Sequence, residues 1–447
     1  MTQKPGPTQA IAAFVAETSL ANVSAAVLKN AKTAVLDTLG VALAAVDQSI
    51  GRIVSEYVQS LGGDPVATVL GAGFRTSAPL AALANGTLAH ALDYDDRRHV
   101  STHTLPTALA IGEMQHASGG RMLEAYIIGR EVGMRLTEAV EARRKEHGGP
   151  TFRGWYRVGV VGPIAAAATA ARLLNLDSGA IATAIGIAAS SAGGLRRNQG
   201  TMTKALHAGN AAMDGVQAAL LAQRGFSGDQ EILEAPLGFF TALCLPGEAD
   251  LEPLTDRLGK PFDLEEATEI KPFPACSPSH KPLQGLLALH SADPFDPGEV
   301  EAIEVDLHTF SLFRLDPQEA VATGFSLPYL LAVALVDGAV GIDQVGEGRL
   351  HDPQVRSLMA RVKHNPASAP ENGPERVTVR LRGGRSLEVQ VPRVHNLVTT
   401  EDIEAKYRDC AGRVLGPAEV ERLHTLVMRL DRLADIRKLT AVAGGSA

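Results

Sequence analysis

Between residues 90 and 103 the chain reads His90-Ala91-Leu92-Asp93-Tyr94-Asp95-Asp96-Arg97-Arg98-His99-Val100-Ser101-Thr102-His103, which places three carboxylates and three imidazoles within one short segment. These are the side chains best suited to taking and giving protons near neutral pH. Asp93, Asp95 and Asp96 cannot share one face of a helix or strand, so one or two of them are expected to cap the next turn and one to reach a ligand. His and Asp also bind metals, but their spacing matches neither an HExxH helix nor an EF-hand loop, and no metal is expected.

A second cluster runs Arg196-Arg197-Asn198-Gln199-Gly200-Thr201-Met202-Thr203-Lys204-Ala205-Leu206-His207-Ala208-Gly209-Asn210. Here a glycine-containing loop enters a helix whose first amides can face an anion, so the segment suits a carboxylate or phosphate; it equally suits a basic surface loop. It fits neither GxxxxGK[ST] nor GxGxxG, so nucleotide binding is not indicated. In the third cluster, Lys271-Pro272-Phe273-Pro274-Ala275-Cys276-Ser277-Pro278-Ser279-His280, prolines stiffen a loop. Lys271 can supply a charge or a proton, Cys276 a thiol and His280 a proton relay. No Ser or Cys sits in a GxSxG context and nothing pairs Cys276 with a base, so covalent catalysis is not expected.

The elements that position these clusters are mostly helices. From Thr8 to about Leu245 apolar residues recur every three or four positions, with Gly or Pro at the breaks. The expected helices are Ser24–Ala45, Pro79–Leu92, Leu105–His116, Arg121–Glu141, Pro163–Leu174, Gly179–Ala189 and Gly209–Arg224. Near residue 265 the pattern changes: Ile303, Val305 and Leu307 alternate with Glu304, Asp306 and His308, and the runs Val377–Leu381 and Leu387–Val391 flank Arg382-Gly383-Gly384-Arg385, a hairpin signal. Phe325–Val336 and Pro353–Val362 read as helices between strands. Thr400–Cys410 and Pro417–Leu433 are helical again, and the small residues 441–447 are expected to fray. The expected fold is mainly α: a helical domain over 1–264, joined by C-terminal helices 396–447, and an α+β lid domain with an antiparallel sheet over 265–395.

Composition sets bounds on this reading. The 447 residues are 45% hydrophobic, 21% charged and 4% aromatic, with a formal charge of -8, which excludes an all-β protein and argues against a nucleic-acid partner. Three cysteines, far apart and odd in number, form no disulfide framework and suit a reducing cytoplasm. The N-terminus resembles neither a signal nor a transit peptide, and the apolar stretch Val158–Leu174 is broken by Pro163 and Arg172, so no membrane partner is expected. No repeat of fixed period is present.

Five ordered blocks, ALANGTLAHALDYDD, GWYRVGVVGPIAAAATAARLLNLD, TKALHAGNAA, KPFPACSPSH and FSLPYLLAVALVDG, resemble those of the MmgE/PrpD family nearly end to end. That family includes 2-methylcitrate dehydratase, cis-aconitate decarboxylase and iminodisuccinate epimerase. The resemblance implies a helical domain with a smaller α+β lid, a homodimer, no metal or organic cofactor, and proton transfer at a carbon beside a carboxylate of a small di- or tricarboxylate. It puts Asp93 and His103 at active-site polar positions and Lys204 and Lys271 at basic ones; Arg97, Arg196, His207, Cys276 and His280, from the same clusters, are the expected substrate-binding residues. Two departures stand out: Arg97 replaces a frequent Thr, and Tyr156 stands where several relatives carry His. Cys276 sits where cis-aconitate decarboxylases have His, which argues against that decarboxylation, while His280 is placed as in the dehydratase version.

Removing a proton beside a carboxylate adds negative charge, so fixed cations are needed as much as a base. Lys204, Lys271, Arg97 and Arg196 would supply them, with Asp93 or His103 as one acid–base group and Tyr156 or Lys271 as its partner. A hydro-lyase of the 2-methylcitrate dehydratase type ranks first, ahead of epimerisation of an iminodisuccinate-like acid, decarboxylation of the cis-aconitate type, and a non-catalytic polyacid-binding dimer.

Overall fold

Small residues at helical spacing let helices approach until their backbones meet, and the N-terminal part of the chain is built that way. The computed structural model describes residues 5–142, 150, 153–307, 314–365, 375–394, 396 and 399–445. Helices α1 (Pro7–Glu17), α2 (Ala25–Ala44) and α3 (Ser49–Leu61) lead to a two-stranded antiparallel ribbon, β1 (Ala67–Thr68) and β2 (Arg75–Thr76). Then follow α4 (Ala78–Ala91), α5 (Ser101–Met114), α6 (Gly119–Glu141), α7 (Arg157–Leu173), α8 (Ser178–Ala189) and α9 (Met202–Gln223). A Cβ on Gly86 of α4 would lie 2.9 Å from Ala208 O and from Gly209 Cα, and one on Gly209 of α9 would lie 2.2 Å from Thr87 Oγ1. One turn beyond this contact α4 carries His90 and α9 carries Lys204. Two glycines thereby set the distance between the first two polar clusters.

Helix α7 begins at Arg157 and carries Pro163 inside it, whereas the sequence suggests a start at the proline. Pro163 has no N–H for the carbonyl of Gly159, and Gly193 N donates to that oxygen instead at 3.0 Å. With its backbone satisfied from outside, the helix continues through the proline. Helix α9 likewise starts before the expected Gly209, a residue required inside it for close approach.

The second unit contains α10 (His280–Ala292), β3 (Val300–Asp306), α11 (Leu327–Asp337), α12 (Pro353–Met359), β4 (Val362–His364), β5 (Glu375–Leu381) and β6 (Ser386–Val391). Strand order is β4-β3-β5-β6. The sheet is mixed rather than antiparallel, because β4 runs parallel to β3 with Val362 beside Ile303. Three residues at the end of a helix-like run are too few to show a strand period. The β5–β6 turn uses Gly383 and Gly384 at φ 85° and 86°, a left-handed backbone that glycine adopts without strain. His308 lies outside the described residues. One apolar core fills the helices, and a second lies between α10, α11 and one face of this sheet, with Leu283 and Leu286 among Val377 and Val379.

The chain then returns to the first core through α13 (Thr400–Ala411), α14 (Pro417–Met428) and α15 (Arg437–Ala443). Gly40 of α2 makes room for Tyr407, whose ring would be 3.1 Å from a Cβ there. Residues 441–443 do not fray: Ala443 is fully buried, and Gly71 N and Gly73 N donate to Ala443 O and Gly444 O at 2.9 Å each. Among the described residues no single helix is long and apolar enough to cross a membrane; α2 and α3 pass that test only together, as a pair bent by 89°.

Candidate active site

Helix α4 ends at Ala91, and the loop after it doubles back because Asp93 and His99 adopt left-handed backbone at φ 49° and 65°, uncommon for residues with a side chain. Asp96 is the cap of this loop: its Oδ1 accepts from Arg98 N and His99 N, and its Oδ2 from Arg130 Nη1 at 3.0 Å. The loop is joined to the third cluster by an isolated bridge between Asp96 and Ile270 and by Arg97 N donating to Glu269 O. Beneath both, Lys406 of α13 donates to Tyr94 O at 2.6 Å and Lys271 O at 3.3 Å and pairs with Asp37 at 2.7 Å. One buried ammonium thus ties three distant segments together.

The segments converge on Asp93. Its Oδ1 lies 2.6 Å from Lys204 Nζ and 3.1 Å from Lys271 Nζ, while Lys271 also donates to Asp93 O at 2.7 Å. Burial alone would push the Asp93 pKa up, but the two ammonium groups outweigh it and hold the carboxyl well below the usual range. Burial lowers the Lys204 pKa, with the carboxylates opposing. The result is an anion matched by two cations in a space nearly closed to water.

Beside it lies a chain of acid–base groups. Asp95, fully buried, faces His99 Nδ1 at 2.6 Å through Oδ2 and His90 Nδ1 at 3.2 Å through Oδ1. His90 Nε2 faces the Tyr156 hydroxyl at 2.7 Å. Burial works to raise the Asp95 pKa, yet the two imidazoles bring it well below the usual carboxylate value. An ionised carboxylate only accepts, so both facing nitrogens carry protons: His90 and His99 are Nδ1–H tautomers, and Tyr156 donates to the bare His90 Nε2. Lys204 Nζ is also 3.2 Å from His90 Nδ1 but directs its protons to Asp93. Burial, then the Lys204 charge, brings the His90 pKa down to about 3; burial also lowers that of His99, and raises that of Tyr156 well above the usual phenol value. Tyr156 holds its place at the start of α7 because its N–H donates to Gly194 O at 3.0 Å.

A cavity of about 470 Å³ opens onto these groups, with Asp93, Arg97, His99, Tyr156, Lys204 and Cys276 in its walls. Arg196 and Arg157 also line it; Arg196 Nε donates to Gln199 Oε1 at 3.3 Å, and Arg97 lies 3.6 Å from Glu269. Burial pushes the Cys276 thiol up to about 12, so it stays neutral. Lys271 lies behind the wall, in contact with Asp93. His207 packs against Tyr156, with ring centroids 5.2 Å apart, and supports that phenol.

Besides Lys271 and His207, which stand behind the cavity wall, two more expected residues stand elsewhere. His103 is absent from the cavity lining: it is buried within the helices, where Gly162 and Gly133 make room for its ring, and neither ring nitrogen has a hydrogen-bond partner among the described residues. His280 is also absent from the lining; its Nε2 meets Ala275 O at 2.9 Å and braces the loop that carries Cys276. Conversely, His90, Asp95 and His99 belong to the cluster around the cavity, although none of them is among the site residues singled out from the sequence. Their only sequence signal is the density of His and Asp between residues 90 and 103. Lys406, in a polar helix far along the chain, gives none.

Ligand atoms of His90, Asp93, Asp95 and His99 all lie within 4.8 Å of one another, a spacing open to a metal ion. The donor set does not fit one: Asp93 already faces two ammonium groups, which repel a dication, and Asp95 holds both imidazoles by their N–H groups.

A family model described as the MmgE/PrpD N-terminal domain matches residues 9–252, and one described as the MmgE/PrpD C-terminal domain matches residues 273–432. Among curated proteins, the cis-aconitate decarboxylase of Homo sapiens is 28% identical over 472 residues, covering 98% of this chain and 94% of that protein. That of Mus musculus is 27% identical over 468 residues, covering 98% and 93%, and that of Aspergillus terreus is 28% identical over 477 residues, covering 98% and 95%.

Proposed function

The chain belongs to the MmgE/PrpD family, and from that premise we propose that it is a lyase acting, through side chains alone, on a small di- or tricarboxylate at a carbon beside a carboxylate. The observation that carries this reading is Asp93 held between Lys204 and Lys271 beside His99 and Tyr156, at a cavity edged by Arg97, Arg157 and Arg196. Arginines bind carboxylates in two-pronged fashion. Lys204, at the cavity wall, then balances negative charge that develops on the substrate, with Lys271 behind it holding Asp93, His99 Nε2 as the base and the Tyr156 hydroxyl as the acid. A unit charge at 4 Å from one ammonium gains about 4 kcal/mol at an effective dielectric of about 20.

Elimination of water is the first reading. It needs a base at carbon and an acid at the departing oxygen, and both groups line the cavity. A neutral, buried Cys276 cannot do the work of the imidazole expected there in decarboxylases. Decarboxylation is the second reading, favoured by the named activity of the relatives. The deciding experiment incubates the protein in deuterated water with 2-methylcitrate, citrate and cis-aconitate and follows each by NMR. Formation of an unsaturated acid with all its carbons from 2-methylcitrate or citrate, or hydration of cis-aconitate, supports the hydro-lyase, loss of carbon dioxide the decarboxylase, and deuterium uptake with inversion alone an epimerase. Neither product nor deuterium from any of the three contradicts the proposal.

A further inference from the structure

We propose that Asp95 is the single carboxylate that orients two acid–base groups of the cavity, His99 by direct hydrogen bond and Tyr156 through His90. This rests on the acid–base reading above and extends it to residues that touch no ligand: His90 and Asp95 are fully buried, while Tyr156 and His99 line the cavity. The two arms leave the same carboxyl group by different oxygens, Oδ2 to His99 at 2.6 Å and Oδ1 to His90 at 3.2 Å.

Through the first arm a C–H proton passes to His99 Nε2, the electron pair of that bond stays on carbon, and the imidazolium keeps its Nδ1–H on Asp95. Through the second, the Tyr156 hydroxyl gives its proton to the departing oxygen, which leaves as water, and the phenolate so formed regains a proton from the one His99 has taken, while the His90 Nδ1–H stays on Asp95. Run backwards, Tyr156 takes a proton from the water that adds and His99 returns one to carbon. The new positive charge sits on the His99 imidazole against the shared carboxylate, with the His90 ring centroid 4.7 Å away and the ammonium groups of Lys204 and Lys271 close by. A charged His99 therefore opposes charging of His90, which stays neutral on its Nδ1–H. The first arm takes a proton while the second gives one, as paired base and acid roles require. Asp95 and His90 are positioning residues; His99 and Tyr156 are the catalytic ones.

Nitrogen NMR of the histidine rings tests the network whether or not a substrate is converted. His90 and His99 are both expected as Nδ1–H tautomers at neutral pH, and Tyr156→Phe is expected to shift His90 Nε2 while leaving His99 unchanged. A proton found on His90 Nε2 overturns the assignment. Kinetics test its use, with whichever of 2-methylcitrate, citrate and cis-aconitate the wild type converts. His90→Gln is expected to lower kcat at least tenfold with KM within about twofold, and to cost less than twofold further in a Tyr156→Phe background, because it acts through that phenol. In a His99→Gln background it keeps its full effect. Equal losses in both backgrounds, or a loss of kcat that follows the melting temperature, overturn the proposal. If the wild type converts none of the three, the proposed function fails and the ring tautomers alone decide the network.

Discussion

Replacing Lys204 by Met removes one of the two charges on Asp93 while nearly keeping the volume of the side chain. At 2.6 Å the gross attraction between Lys204 and Asp93 is about 6 kcal/mol at an effective dielectric of about 20, and the remaining Lys271 at 3.1 Å still supplies about 5 kcal/mol. Most of the lost attraction is offset because an ammonium no longer has to be buried, so the expected loss of stability is about 1–3 kcal/mol, below that of breaking an isolated buried pair. Catalysis suffers more. A charge developing about 4 Å from the ammonium loses about 4 kcal/mol, which is about a thousandfold in kcat/KM. Because Lys204 and Lys271 are both buried, neither behaves as an expendable loop lysine. Urea unfolding and steady-state kinetics on the same preparation separate the two effects. A folded Lys204→Met variant within tenfold of wild-type kcat/KM refutes the charge-balancing role.

Gly209→Ala drives a Cβ to 2.3 Å from Leu83 O and is expected to destabilise by more than about 2 kcal/mol while lowering activity, because α9 must move Lys204 away from His90; an unchanged urea midpoint contradicts this packing. Burial lowers His90, His103 and His280 from an ordinary 6.5 to about 3, so below pH 6.5 the unfolded chain binds protons that the folded one does not. Stability is therefore fully present above that value and is lost as pH falls from 6.5 toward 3, by about 1.4 kcal/mol for each of these histidines at pH 5.5; unfolding free energies that do not change between pH 7 and 5.5 contradict their burial as neutral rings. Activity is expected to survive exhaustive chelation, and a loss restored by zinc, iron or magnesium returns His90, Asp93, Asp95 and His99 to the role of ligands.

The sequence makes the three polar clusters visible because their residue types carry chemistry, and the fold brings Asp93, Lys204 and Lys271 to within hydrogen-bond reach. Which histidine faces the cavity is less visible. His99 and His103 lie four residues apart in the sequence, and the outcome depends on the Asp96 cap and the left-handed backbone at His99, neither of which has a periodic signature. The same holds for Lys406, whose ammonium is buried by tertiary contacts in a helix that reads as polar, and for β4, where pairing with β3 outweighs a local preference for helix. Helix α7 runs through Pro163 only because Gly193, on another segment, satisfies the carbonyl the proline leaves free. In each case a long-range partner decides what a local pattern leaves open.

The account turns on where a substrate carbon sits relative to His99 and Tyr156. A crystal structure with a bound tricarboxylate, determined for a catalytically slowed Tyr156→Phe variant, measures this directly. The account predicts one carboxylate on the arginines of the cavity rim and the carbon beside it within about 3.5 Å of His99 Nε2, with Lys204 near the oxygens that gain charge. A ligand held with that carbon beyond the reach of both His99 and position 156, or seated outside this cavity, contradicts it.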